Sequence, residues 1–151
     1  MPGLLLRRED PGANLPPEGV HKAVFCGAED MGEHTAHYPE GLKTYERVRV
    51  VFQLDALNAL GRRYRATQVF PKSTSNKSRL YGFLRSLLGG ELDAMLSRGL
   101  NLESLIGRNA RIRIAHVQKD GRTYANIESV MPLGTDEELL DLEDPDPILD
   151  A

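Results

Sequence analysis

Residues 45–54 read YERVRVVFQL, an alternation that puts Val48, Val50, Phe52 and Leu54 on one side and Arg47, Arg49 and Gln53 on the other. Successive side chains of a β-strand point to opposite faces, so this period predicts a half-buried strand with an apolar inner face and a basic outer face. Four other segments follow the same rule. GVHKAVFCGAED, beginning at Gly19, predicts the first strand, with Ala23 and Phe25 opposite Val20, Val24 and Cys26. RRYRATQVF predicts the third strand and RNARIRIAHVQ the fourth, where Ala110, Ile112 and Ile114 oppose Arg111 and Arg113. TYANIESVMPL predicts the fifth, joined to the fourth by a tight hairpin turn at DGR.

The period changes from two to about 3.6 in one place. In KSRLYGFLRSLLGG, the residues Leu80, Phe83, Leu84 and Leu87 fall at i, i+3, i+4 and i+7, which predicts a helix capped by Ser75 or Asn76 and ended by Gly89 and Gly90. A short second helix, ELDAMLSRG, and the apolar turn NLESLIG follow. Between the first two strands, MGEHTAHYPEGLKT has no period and many turn residues, predicting a loop of about fourteen residues. The order β-β-β-α-β-β predicts a mainly β protein, a five-stranded OB-type Greek-key barrel with a helical segment between strands 3 and 4. An SH3-like barrel does not ordinarily place so long a helical segment there, and a parallel βαβ sheet needs helices between more of its strands.

Length and charge divide the chain further. A chain of 151 residues, 40% hydrophobic, supports one domain with a core. Residues 1–18 carry Pro2, Pro11, Pro16 and Pro17 and are expected to be a flexible arm; residues 19–132 form the OB-like domain; residues 133–151 form an acidic disordered tail. The net charge of -3 conceals a domain with 17 Lys and Arg against 11 Asp and Glu, a net +6, and a tail with 8 acids and no Lys or Arg. A basic body favours a polyanionic partner. No apolar run approaches the ~20 residues of a membrane span, and the arginines of MPGLLLRRED follow the leucines, the wrong order for a secretory signal, so a cytoplasmic protein without membrane contact is expected. The single cysteine, Cys26, accords with a reducing compartment and reads as a small buried residue.

The candidate chemistry is that of binding. Arg47 and Arg49 on strand 2, Arg63 and Arg65 on strand 3, and Arg111 and Arg113 on strand 4 are placed to line one surface, with Lys72 and Lys77 continuing the charge toward the helix. Guanidinium groups in such a row track a phosphate backbone, and Tyr45, Tyr64 and Tyr124 are candidates for stacking on bases. On an ideal strand Tyr64 points away from Arg63 and Arg65, which favours either a bulge or a core role for it. The competing reading is an ordinary solvated strand face. His34 and His37, with Cys26 upstream, lack the four convergent ligands of a zinc site, and PKSTSNKS lacks the glycine framework of a P-loop. No catalytic constellation, metal site or cofactor is expected. In the tail, Leu139, Leu140, Leu142, Ile148 and Leu149 are interleaved with acids, a pattern suited either to covering the basic groove or to hooking a partner protein.

The segments GVHKAVF, RYRATQVFPKSTSNKSRLYGFLRSLLG and LIGRNARIRIAHVQKDGRTYANIESV, with the acidic C-terminus, resemble OB-fold single-stranded DNA-binding proteins of small phages and mobile elements. The resemblance covers residues 19–132 as layout and carries no catalytic motif. It implies a non-enzymatic role in replication or recombination, binding single-stranded nucleic acid, DNA in preference to RNA, and leaves a homo-oligomer open. In bacterial single-strand binding proteins the acidic tail ends in a proline and phenylalanine that dock into repair and replication enzymes; here Pro147, Ile148 and Leu149 are similar, but Asp150 and Ala151 follow. The alternative is a protein-interaction module of a phage or mobile element, acting through the barrel or the tail.

Overall fold

The computed structural model describes residues 15–134 and 136–143. Five antiparallel strands form one sheet: β1 (Gly19–Tyr38), β2 (Gly41–Leu57), β3 (Arg63–Pro71), β4 (Asn109–Lys119) and β5 (Arg122–Met131). Their order across the sheet is β3-β2-β1-β4-β5. The helical segment between β3 and β4 comprises α1 (Arg79–Leu88), a 3-10 turn, and α2 (Leu92–Arg98), followed by a second 3-10 turn at Leu102–Leu105.

The alternation read in the sequence sets the faces. Val48, Val50, Phe52 and Leu54 are buried in the core with Phe25, Ala66, Phe70, Ala110, Ile112 and Ile114. Leu80, Phe83, Leu84 and Leu87 of α1 join the same core as the predicted stripe. Phe52 touches Phe25 edge-on at 5.4 Å between ring centroids and Phe83 at 6.0 Å, so one side chain ties β1, β2 and α1 together. The cap of α1 is Ser78, whose hydroxyl accepts the Tyr81 N–H at 3.1 Å, rather than Ser75 or Asn76. Several hydroxyl and amide groups precede this helix, and only the fold selects among them.

Two expectations about the sheet need correction. The sheet remains open: β3 and β5 approach each other without a ladder between them, and the barrel is not closed. The gap is bridged by the Gln68 side chain, whose Oε1 accepts the Ile127 N–H at 3.2 Å, and α1 packs against both strands. Secondly, the predicted loop at 31–44 is the outer half of a long hairpin. β1 and β2 stay in register from Gly32↔Arg47 to Tyr38↔Gly41, with Pro39 and Glu40 at the turn. Beyond residue 30 this arm has little core to cover, so it lacks the one-sided hydrophobicity that betrays a buried strand. Residues 15–18, the described part of the expected arm, run beside β4. His116 Nε2 donates to the Pro16 carbonyl at 2.7 Å, and the His116 N–H donates to the Glu18 carboxylate at 2.9 Å.

The turn between β4 and β5 is as expected, with Asp120 at φ 53° and Gly121 at φ 76°, the paired left-handed residues of a two-residue hairpin. Among the described residues no helix is long and apolar enough to cross a membrane.

Candidate nucleic-acid interface

Residues that pair across an antiparallel sheet share a face, so the outward surface can be read row by row. One row runs Asn109, Val24, Gln53, Arg65 across β4, β1, β2 and β3. The neighbouring row holds Arg111 opposite Lys22. Farther along β2, Arg49 lies opposite Glu29 and Val69, and Arg47 opposite Gly32 and Pro71. Arg47, Arg49, Arg63, Arg65 and Arg111 therefore point to one side, as the strand period requires. They form two groups, because Gln53 and Arg49 are four residues apart, about 13 Å at 3.3 Å per residue.

The group near the hairpin arm is largely paired with acids. Arg49 meets Glu29 at 3.4 Å, and Lys72 lies 3.5 Å from Asp30 and 3.8 Å from Glu46. Arg47 is half-buried, and its Nε is buried without a hydrogen-bond partner. Tyr45 meets His34 edge-on at 5.5 Å, and Lys43 sits over the Tyr38 ring at 5.1 Å. A hydrogen bond with Tyr45 raises the Tyr38 phenol above its ordinary value. The Gly32 N–H, donating at 2.8 Å, and next the Lys72 ammonium hold the Asp30 carboxyl below the usual aspartate value. A carboxyl lowered in this way adds stability above its unfolded value, and that contribution is lost as pH falls through the folded value. In Lys72→Met the Asp30 midpoint is expected to rise but to stay below that of a free aspartate, because the Gly32 N–H remains; a carbon-detected NMR titration of the carboxyl measures both.

The second group is covered by the chain itself. The segment 137–143 crosses β4, β1, β2 and β3 on the outward face. Glu137 pairs with Arg111, and Lys22 Nζ donates to the Glu138 carbonyl at 2.8 Å. Asn109 bonds the backbone of Leu140, Gln53 bonds that of Glu143, and Arg63 donates to the Asp141 carbonyl from its side chain and to the Glu143 carboxylate from its N–H. Residues 137–143, within the expected disordered tail, thus lie as a strap on this face. Glu137 meets the Arg111 guanidinium and the other contacts run largely through the strap's backbone, while Leu139 and Leu142 stay exposed and Leu140 is half-buried. Ile148 and Leu149 lie outside the described residues.

Other predicted site residues fall elsewhere. Tyr64 packs against the core on the face opposite Arg63 and Arg65, so its ring is not on the basic surface. The β2/β3 ladder does shift register there, between Gln53↔Arg65 and Leu57↔Arg63, but the extra residues lie on β2, and the two-residue period of β3 still turns Tyr64 inward. Tyr124 is exposed on β5, lining a groove with Leu15, Thr67 and Val69 beside the open seam. Arg113 is exposed at the β4 edge of the face, opposite Val20 and Ser129, and Lys77 lies exposed in the turn before α1. Lys22, Gln53 and Asn109 belong to the site although only Gln53 was placed on this face by the sequence period. The signal for Gln53 was an amide set between the apolar residues Phe52 and Leu54; nothing local marks Asn109. Among the described residues no group of three or more His, Cys, Asp or Glu side chains is placed to hold a metal ion. Compared with protein-family models and with curated proteins, the chain matches none.

Proposed function

We propose that this protein binds single-stranded nucleic acid, DNA in preference to RNA, on the outward face of β4, β1, β2 and β3, without catalysing a reaction. The observation that carries this reading is the strap: an extended acidic segment lies across cations from β1, β3 and β4. A surface that accommodates an extended anionic chain within its own molecule has the shape and charge to accommodate an extended polyanion from outside. We read the sheet as an OB-type barrel opened along the β3/β5 seam, since the order β3-β2-β1-β4-β5 brings β2 and β3, the strands that bind ligands in that class, beside β1 and β4. The arginines supply phosphate contacts, and with Tyr64 in the core, stacking falls to Tyr45 and Tyr124 at opposite sides of the face. Electrostatics then dominates, as a role in coating strands during replication or recombination requires.

Fluorescence anisotropy of the full chain with a labelled single-stranded oligonucleotide and its duplex, at two salt concentrations, tests the proposal. Tighter binding of the single strand, weakening steeply with salt as counterions are released, is expected. Absence of binding at low salt would favour the second reading, a module for protein partners. That reading has its own support, because the face holds the strap through its backbone and leaves Leu139 and Leu142 exposed.

A further inference from the structure

Two carboxamides on this face make the same contact. Gln53 Oε1 accepts the Glu143 N–H at 2.7 Å while its Nε2 donates to the Glu143 carbonyl at 3.0 Å. Asn109 Oδ1 accepts the Leu140 N–H at 2.6 Å while its Nδ2 donates to the Leu140 carbonyl at 3.1 Å. Each amide therefore grips an adjacent donor and acceptor, and all four bonds run to the strap's backbone. The two stand on either side of Val24 in one cross-strand row. Val24 is 0% and Gln53 3% exposed, yet both lie outside the core cluster, so this row is a floor on the outer surface that the strap covers.

The amides are also held in position before anything binds. Arg63 Nη1 donates to Gln53 Oε1 at 3.4 Å, and Asn109 Nδ2 donates to the Gly107 carbonyl at 3.3 Å. In both cases the extra contact fixes which end of the amide is oxygen. Such groups are suited to a ligand that offers a neighbouring hydrogen-bond donor and acceptor beside a negative charge. A nucleobase does so on its Watson–Crick edge, which is open in a single strand and occupied by pairing in a duplex. Carboxamides are among the side chains that bond base edges at two points.

On the nucleic-acid reading above, we infer that Gln53 and Asn109 are the residues by which this face distinguishes a single strand from a duplex, and that the segment 137–143 occupies their clamps until a strand displaces it. Glu137 on Arg111, and the Asp141 carbonyl and Glu143 carboxylate at Arg63, then stand where phosphate oxygens go. Because any base has a donor and acceptor on its free edge, the clamps select strandedness rather than sequence.

Amide hydrogen exchange by NMR on the full chain tests the displacement, using a mixed-sequence single-stranded oligonucleotide and its duplex. The Leu140 and Glu143 amides are expected to be protected in the free protein and to exchange at least about tenfold faster with the single strand bound, since each then loses a buried acceptor. In Gln53→Met and in Asn109→Leu the ratio of single-strand to duplex affinity is expected to fall by roughly five- to a hundredfold, the discrimination a two-point base contact provides. The strap competes with both ligands, so its loosening cancels in that ratio. Binding of the single strand with both amides still protected, or an unchanged ratio in the variants, overturns the inference and leaves the arginine reading standing. Failure of the unsubstituted protein to bind either oligonucleotide overturns both. If a variant does not fold, the exchange measurement on the unsubstituted chain decides.

Discussion

Reversing charge at Arg63 and Arg111 together, in the variant Arg63→Glu with Arg111→Glu, is expected to weaken single-stranded oligonucleotide binding at low salt by about thirtyfold or more. These two arginines stand on different strands and already hold anionic or carbonyl oxygen in the free protein. A hydrogen bond to a charged group contributes about 1.5–3 kcal/mol, so two of them represent about 3–6 kcal/mol. The opposing effect is release of the strap, because the Arg111–Glu137 pair and the Arg63 bond to the Asp141 carbonyl are lost as well. Both contacts are part-exposed and contribute about 1 kcal/mol each at most, while the two introduced carboxylates add repulsion toward a polyanion, which leaves a net loss of about 2 kcal/mol or more.

The slope of log affinity against log salt should become shallower by about two, one for each phosphate contact removed. Lys77→Glu serves as the comparison, since Lys77 lies exposed in the turn before α1 and away from the strap. It should change affinity by only a few-fold at low salt. A thermal melt of each variant separates lost binding from lost folding. Retained affinity in the double variant would remove this face as the nucleic-acid site and make the protein-partner reading the leading one.

Phe52→Ala is expected to destabilise the fold by about 3–5 kcal/mol, measured as a lower urea midpoint with an unchanged slope. The ring is 0% exposed and stands between Phe25 on β1 and Phe83 on α1. Removing it opens a cavity where the sheet and helix meet, and a rigid sheet cannot collapse into that space. Since native domains are stable by only about 5–15 kcal/mol, the loss is a large share of the whole. Leu60→Ala, at a side chain 85% exposed, should stay within about 0.5 kcal/mol of the unsubstituted protein. A small effect at Phe52 would mean that helix and sheet are held together by other contacts.

What could be read from the sequence was decided locally. The alternation in YERVRVVFQL places Phe52 inside and Arg49 outside whatever β2 pairs with, because strand geometry enforces a two-residue period wherever one face is buried. The same rule turned Tyr64 away from Arg63 and Arg65. The stripe Leu80, Phe83, Leu84, Leu87 and the Asp120–Gly121 turn were likewise visible, being set by helix period and left-handed turn geometry. The outer half of the β1/β2 hairpin was not, since an arm with little core beneath it leaves no such pattern.

Only the tertiary structure decided that the sheet stays open and that the acidic segment lies across its outer face. Gln53 and Glu143 are 90 residues apart, and Asn109 and Leu140 are 31 apart. Composition showed a basic body and an acidic tail, which attract at any distance within the screening length without specifying a place. The place was set by two carboxamides and Arg63 meeting backbone groups, and hydrogen bonds require positions that exist only after β4, β1, β2 and β3 have aligned.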